Sequence, residues 1–278
     1  MPLDAFALAL GSAFLHALWN LILGRERDPE AATAIALCAA VAVFAPVAVL
    51  RWDADSGVWP YVVVTSTLQL AYFALLATAY RRAEVSVVYP IARGMAPVLV
   101  LVFGLAVLGT GVGPGQAVGV CLVGLGVLLV RGLGVGRVDA RGAGAAFGLA
   151  VASCIAAYTL VDKHGVEHAD PIVYLELGMV PATLGYVGFL LATRSGAARL
   201  RATAGPLPAL AGLLSFVAYA LVLAALLRAP AAAVAAVRET SVLIAALLAG
   251  PLLGEAVGPV RLGGAALVVG GVALITLG

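Results

Sequence analysis

Runs of about 20 consecutive apolar residues recur along the whole chain, joined by short polar links, and each is long enough to cross a bilayer. Residues 29–50, PEAATAIALCAAVAVFAPVAVL, are typical. Lipid offers no partner to a backbone N–H or C=O, so such runs must close their hydrogen bonds internally as helices. With 63% hydrophobic and 11% charged residues, the sequence leaves no alternative soluble core. The expected fold is therefore an all-α polytopic membrane protein whose solvent is the lipid bilayer. A net charge of +2 and the lack of a basic block exclude a nucleic-acid partner. The first apolar run has no positive leader, carries Asp4 and continues past His16 to Leu23, which predicts a retained span. Cys38, Cys121 and Cys154 lie inside apolar runs without metal or redox spacing and read as core filler. No cofactor is implied.

One run is interrupted by charge. Arg82–Leu108 reads RAEVSVVYPIARGMAPVLVLVFGLAVL. A helix starting near Glu84 places Arg93 roughly 14 Å deep, close to the bilayer centre. An arginine there costs about 2.5–3.5 kcal/mol and must face a partner or a wet cavity. Pro90 and Pro97 flank it, each removing a backbone donor. The pattern reads as a binding site between helix breakers.

The run has a twin. Shifted by 145 residues, Arg93 falls on Arg238, and Leu108–Val130 matches Leu253–Ile275 at 11 of 23 positions. Gly109/Gly254, Pro114/Pro259 and Gly126/Gly271 are among the identities. The chain is an internal duplication. Residues 1–133 form the first repeat, 134–141 a glycine-rich charged linker, and 142–278 the second repeat.

Each repeat holds five predicted helices. Those of the first are Ala5–Leu23, Pro29–Leu50, Val58–Tyr80, Glu84–Leu108 and Gly115–Val130. The second contributes Gly142–Val161, Pro171–Ala192, Leu207–Leu227, Pro230–Leu253 and Pro259–Leu277. Asp28-Pro29 and Asp170-Pro171 each supply an N-cap followed by proline at the first helical position. The helix at 29–50 has no polar feature and is expected to face lipid. Ser12, His16 and Asn20 form one polar stripe at i, i+4, i+8, with Trp19 beside it; Cys154, Tyr158 and Asp162 repeat the geometry. Ser66, Gln69, Phe73 and Tyr80 share a face of the third helix, and Ser215 and Tyr219 a face of the eighth. Glu176 falls at an interfacial depth, where a snorkelled or capped carboxylate and a functional one are both open.

Five helices per repeat is an odd number, so the second repeat starts on the opposite side and the fold is ten helices in two inverted five-helix repeats. Alternating access follows when the halves exchange conformations. Loops between helices 1–2, 3–4, 5–6, 7–8 and 9–10 hold eleven Arg or Lys residues against three on the other side. That asymmetry puts both termini outside the cytoplasm.

HALWN (His16–Asn20), YPIARG (Tyr89–Gly94), YTLVD (Tyr158–Asp162), VRETSVL (Val237–Leu243) and LGE (Leu253–Glu255) resemble the EamA branch of the drug/metabolite transporter superfamily over the whole chain. The first half departs from the pattern with Thr110 in place of Glu255. The resemblance implies an exporter or exchanger in a bacterial cytoplasmic (inner) membrane, acting as monomer or homodimer on a small-molecule substrate. It also implies a central cavity lined by helices 1, 3, 4, 6, 8 and 9, with helices 5 and 10 at the periphery.

Two arginines and one carboxylate, Glu239, at mid-depth leave a residual positive charge that favours an anionic or zwitterionic substrate, gripped bidentately by guanidinium groups. Arg93, Arg238, Glu239, His16, Asn20, Trp19, Tyr89, Tyr158, Tyr219 and Gln69 are the candidate substrate-binding residues. A purely structural ion pair between Glu239 and one of the arginines remains the other reading of those charges. His16 and Glu239 are candidates for proton coupling. A membrane enzyme is the alternative class: His164 and His168 have i, i+4 spacing but lack a third ligand, and a solvated loop explains them better. An ion channel is disfavoured because the polar groups form no rings.

Overall fold

Both aspartate–proline pairs begin helices as expected. The Asp28 carboxylate accepts from the Ala31 N–H, and Asp170 accepts from the Ile172 N–H. In the computed structural model, residues 1–83, 85–109, 111–131, 138–245 and 259–277 are described. Their helices are α1 (Leu3–Leu23), α2 (Pro29–Leu50), α3 (Val58–Arg82), α4 (Val85–Leu108), α5 (Pro114–Arg131), α6 (Val138–Gly165), α7 (Pro171–Leu191), α8 (Gly196–Thr203), α9 (Pro206–Leu226), α10 (Ala231–Arg238) and α11 (Pro259–Leu277). Residues 240–245 add a further helical segment beyond α10. Seven of these helices are long and apolar enough to cross a membrane, and Pro114–Val130 and Leu262–Leu277 are shorter apolar helices. Glu84, Thr110, residues 134–137 of the expected linker, the end of the expected ninth helix and the LGE motif with Glu255 lie outside the described residues.

Several expectations are corrected. α4 runs unbroken through Pro90 and Pro97, so the prolines do not split it. α6 starts at Val138, inside the expected linker, and continues to Gly165, which puts His164 on its last turn. His168 lies in the loop between α6 and α7 as expected, where its Nδ1 is 3.1 Å from Asp55 and its ring stacks on Tyr61 at 5.4 Å. α8 was not foreseen. α2 does not simply face lipid, because its alanine face (Ala32, Ala36, Ala40) is buried and packs on α9. A Cβ built on Gly212 would lie 2.0 Å from the Ala36 carbonyl oxygen, so only glycine allows this approach. Cys38 and Cys121 are exposed, not core filler, because their helices turn those positions outward.

Equivalent contacts occur twice with the halves exchanged. α1 packs on α9 as α6 packs on α3, and α2 packs on α9 as α7 packs on α3. α5 and α11 pack through glycines: a Cβ on Gly119 would meet the Gly271 carbonyl at 2.6 Å, and one on Gly126 the Gly264 carbonyl at 2.6 Å. Gly119 and Gly264 are repeat twins, as are Gly126 and Gly271, so each glycine touches the twin of its neighbour. A pseudo-twofold relation produces that exchange.

The ends obey the same relation. Arg199, after α7, grips Asp28 at 2.6 Å and Glu30 at 2.8 Å, while Arg51, after α2, reaches Asp170 at 2.9 Å. The first clasp joins the α1–α2 link to the α7–α8 region. The second joins the α2–α3 link to the α6–α7 link and is reinforced by an isolated bridge between Ala54 and Ala169. Arg199 holds the Asp28 carboxyl below the usual carboxylate range, and the His168 ring does the same for Asp55.

Candidate functional site

The helical path from α10 tightens after Arg238. The Glu239 N–H donates to the Ala236 carbonyl and the Val242 N–H to the Glu239 carbonyl, both at 3.0 Å, three residues apart in place of four. The Thr240 hydroxyl donates to the Val237 carbonyl at 2.8 Å, satisfying an acceptor near the turn. Adjacent residues on a helix already point about 100° apart, and here the two charges serve different partners. Glu239 Oε2 lies 3.0 Å from Arg93 Nε on α4, and Arg93 Nη2 donates to the Ser241 hydroxyl at 3.3 Å. Arg238 reaches Glu239 Oε1 only at 4.0 Å and lies 6.0 Å from the Tyr219 ring centroid. Neither Arg93 Nε nor Arg238 Nε has a hydrogen-bond partner among the described residues. All three charged side chains are buried, with 7% (Arg93), 4% (Arg238) and 1% (Glu239) exposure.

Aromatic rings surround the arginines. Tyr158 sits edge-on between Tyr72, at 6.3 Å, and Tyr219, at 6.0 Å. Tyr89, Tyr72 and Tyr158 all lie near Arg93. His16 packs edge-on against Trp19 at 4.8 Å and feels the charge of both guanidinium groups. Residues from α1, α4, α6, α9 and α10 thus converge on one centre.

Not every expected residue joins it. The Asn20 amide turns back to donate to the His16 carbonyl at 2.8 Å on its own helix. Gln69 is buried on α3 without a described hydrogen bond into the cluster. Glu176 is neither snorkelled nor capped: it is 6% exposed, and neither carboxylate oxygen has a hydrogen-bond partner among the described residues. A shallow apolar groove between α2, α7 and α8, lined by Ala34, Cys38, Val187 and Leu200, lies elsewhere on the outer surface.

One member was missed. Asp162, 1% exposed near the end of α6, accepts from the Tyr174 hydroxyl at 2.8 Å through Oδ1 and from the Tyr219 hydroxyl through Oδ2. The i, i+4, i+8 stripe ending at Asp162 was the available signal. Its addition corrects the charge count, because the buried set holds two guanidinium and two carboxyl groups. The expected surplus of positive charge is absent when both carboxyls are ionised.

The EamA-like transporter family model matches residues 4–132 and 142–277, one match for each half. The chain belongs to the EamA-like transporter family. As an EamA-like protein of the drug/metabolite transporter superfamily it is a multi-pass membrane transporter, and the family's members are transporters, not enzymes. One solved crystal structure matches over 100% of this chain and 98% of that chain, with a TM-score of 0.76 and 17% sequence identity. At that identity the likeness is one of fold. No curated protein matches the sequence.

Proposed function

We propose that this EamA-like protein is a ten-crossing secondary transporter of a small polar metabolite, anionic or zwitterionic, working by alternating access in a bacterial inner membrane. The observation that carries the reading is the division of labour among the buried charges. Glu239 lies 3.0 Å from Arg93, which leaves Arg238 with a carboxylate no nearer than 4.0 Å and with neutral tyrosines, Tyr158 and Tyr219, as its neighbours. A buried guanidinium so placed is costly alone and is satisfied by a carboxylate or phosphonate that takes its fork bidentately. Arg238 is then the leading grip, Arg93 the second, and the rings of Tyr158, Tyr219 and Trp19 form the walls that exclude water.

Support for inverted repeats comes from the antiparallel glycine pairs of α5 and α11 and from the exchanged clasps at Asp28 and Asp170. The tightened turn at Glu239 gives the second half a hinge beside the charges. Loop arginines favour both termini outside the cytoplasm. A thermal-shift screen of the purified protein against amino acids, organic acids and phosphonates tests the function. Stabilisation by a carboxylate or phosphonate, lost in Arg238→Gln, is the expected result. Stabilisation only by cations or uncharged solutes would refute it.

A further inference from the structure

The carboxyl group of Asp162 is embedded in the membrane region with no described cation within salt-bridge distance. Its oxygens accept from two neutral hydroxyls, Tyr174 on α7 and Tyr219 on α9, and Thr65 on α3 lies beside it. Lys163, next in sequence, turns away and donates to the Leu226 carbonyl. Tyr158, one turn earlier on α6, is a titratable group on which Asp162 acts electrostatically. Among the described residues, Arg238 is the cation that acts on Asp162 electrostatically, and its guanidinium lies 6.0 Å from the Tyr219 ring centroid. Arg93, from α4, is paired with Glu239 and does not serve Asp162. In the matching polar stripe of α1 the place of Asp162 is taken by Asn20, an amide that cannot titrate, so the two stripes carry this group once.

We propose that Asp162 is a proton-binding site that fills when an anion neutralises Arg238, so that one proton accompanies each anion. This rests on the reading of Arg238 as the anion grip. With the site empty, Arg93 and Arg238 balance Glu239 and Asp162. Adding an anion would leave a net negative charge in a low-dielectric interior, and a proton on Asp162 removes it. The step balances simply: a solvent proton bonds to one Asp162 oxygen, the carboxylate becomes a carboxylic acid, and the Tyr219 hydroxyl rotates from donor to acceptor. Asp162 lies three residues from the end of α6, roughly 5 Å along the helix axis. The Arg51–Asp170 clasp lies at the same end of the fold.

Infrared difference spectroscopy of the full chain against pH tests the site without knowing the substrate. In a Glu176→Gln background, which removes the other buried carboxyl without a described hydrogen-bond partner, a titrating carboxylic-acid C=O band should vanish in Asp162→Asn, persist in Glu239→Gln and change frequency in Tyr219→Phe. Arg238→Gln imitates neutralisation by an anion, and Asp162 should then bind its proton on the order of 10- to 100-fold more tightly. A band that survives Asp162→Asn, or no titrating band in the Glu176→Gln background, overturns the proton site. A band lost in Asp162→Asn but unmoved in Arg238→Gln overturns the coupling. If Asp162→Asn does not fold, the frequency change in Tyr219→Phe decides, and no change overturns the assignment. Failure of the solute screen with these spectra intact would count against the transport reading and not against the proton site.

Discussion

Arg93 and Glu239 form the tightest buried charge contact described, and their fates are linked. Glu239→Gln leaves Arg93 buried without its carboxylate and should destabilise the protein by about 3–5 kcal/mol. The double replacement Arg93→Met, Glu239→Leu should recover most of that loss, as thermal unfolding in detergent can measure. A double variant no more stable than Glu239→Gln would mean the pair is not what holds α4 to the 238–241 turn. Their need for a partner was legible in the sequence because a charge inside an apolar run must meet a counter-charge or a wet cavity. Asp162 was harder to read. It stands beside Lys163 and His164 and so resembles the head of a loop. The groups that bury it, Tyr174 and Tyr219, are 12 and 57 residues away. Asn20 illustrates the opposite error, since its place in a polar stripe did not reveal that its amide would satisfy itself on its own backbone.

At the scale of elements, the Asp-Pro caps marked the starts of α2 and α7 because capping is local chemistry. The end of α10 was not legible, for no proline or glycine stands at Glu239 and the tightened turn depends on what its carboxylate meets across the fold. Helix packing rests on glycine at contacts between segments distant in sequence. Gly212→Ala places a methyl group 2.0 Å from the Ala36 carbonyl oxygen and must push α2 from α9, at a cost of about 1–3 kcal/mol. Gly263→Ala meets nothing within 4 Å and should leave the unfolding temperature unchanged. Equal stability of the two variants would contradict this packing. The clasp at the α2 N-terminus adds a pH dependence. Asp28 has its folded value lowered by Arg199, so its contribution is complete above its ordinary value of 3.8 and is lost as pH falls through the lower folded value. Acid unfolding of the wild type should therefore be steeper than that of Arg199→Ala. Identical acid limbs would show that the clasp contributes nothing.

For the whole molecule, the duplication visible in sequence reappears as exchanged contacts, because a repeated sequence can bury its repeated small residues against each other only through a twofold relation. Which side faces the cytoplasm is set by the loop arginines. Alkaline phosphatase fused to Gly278 should be active and green fluorescent protein fused there dark; fluorescence without phosphatase activity would reverse the orientation. The central claim is that Arg238 grips the transported anion through its guanidinium fork. Its most direct test is the affinity of the stabilising carboxylate or phosphonate for folded Arg238→Lys protein. The charge is kept but the bidentate geometry is lost, which should weaken binding by about 1.5–3 kcal/mol, on the order of 10- to 150-fold. Affinity equal to that of the wild type would contradict the claim.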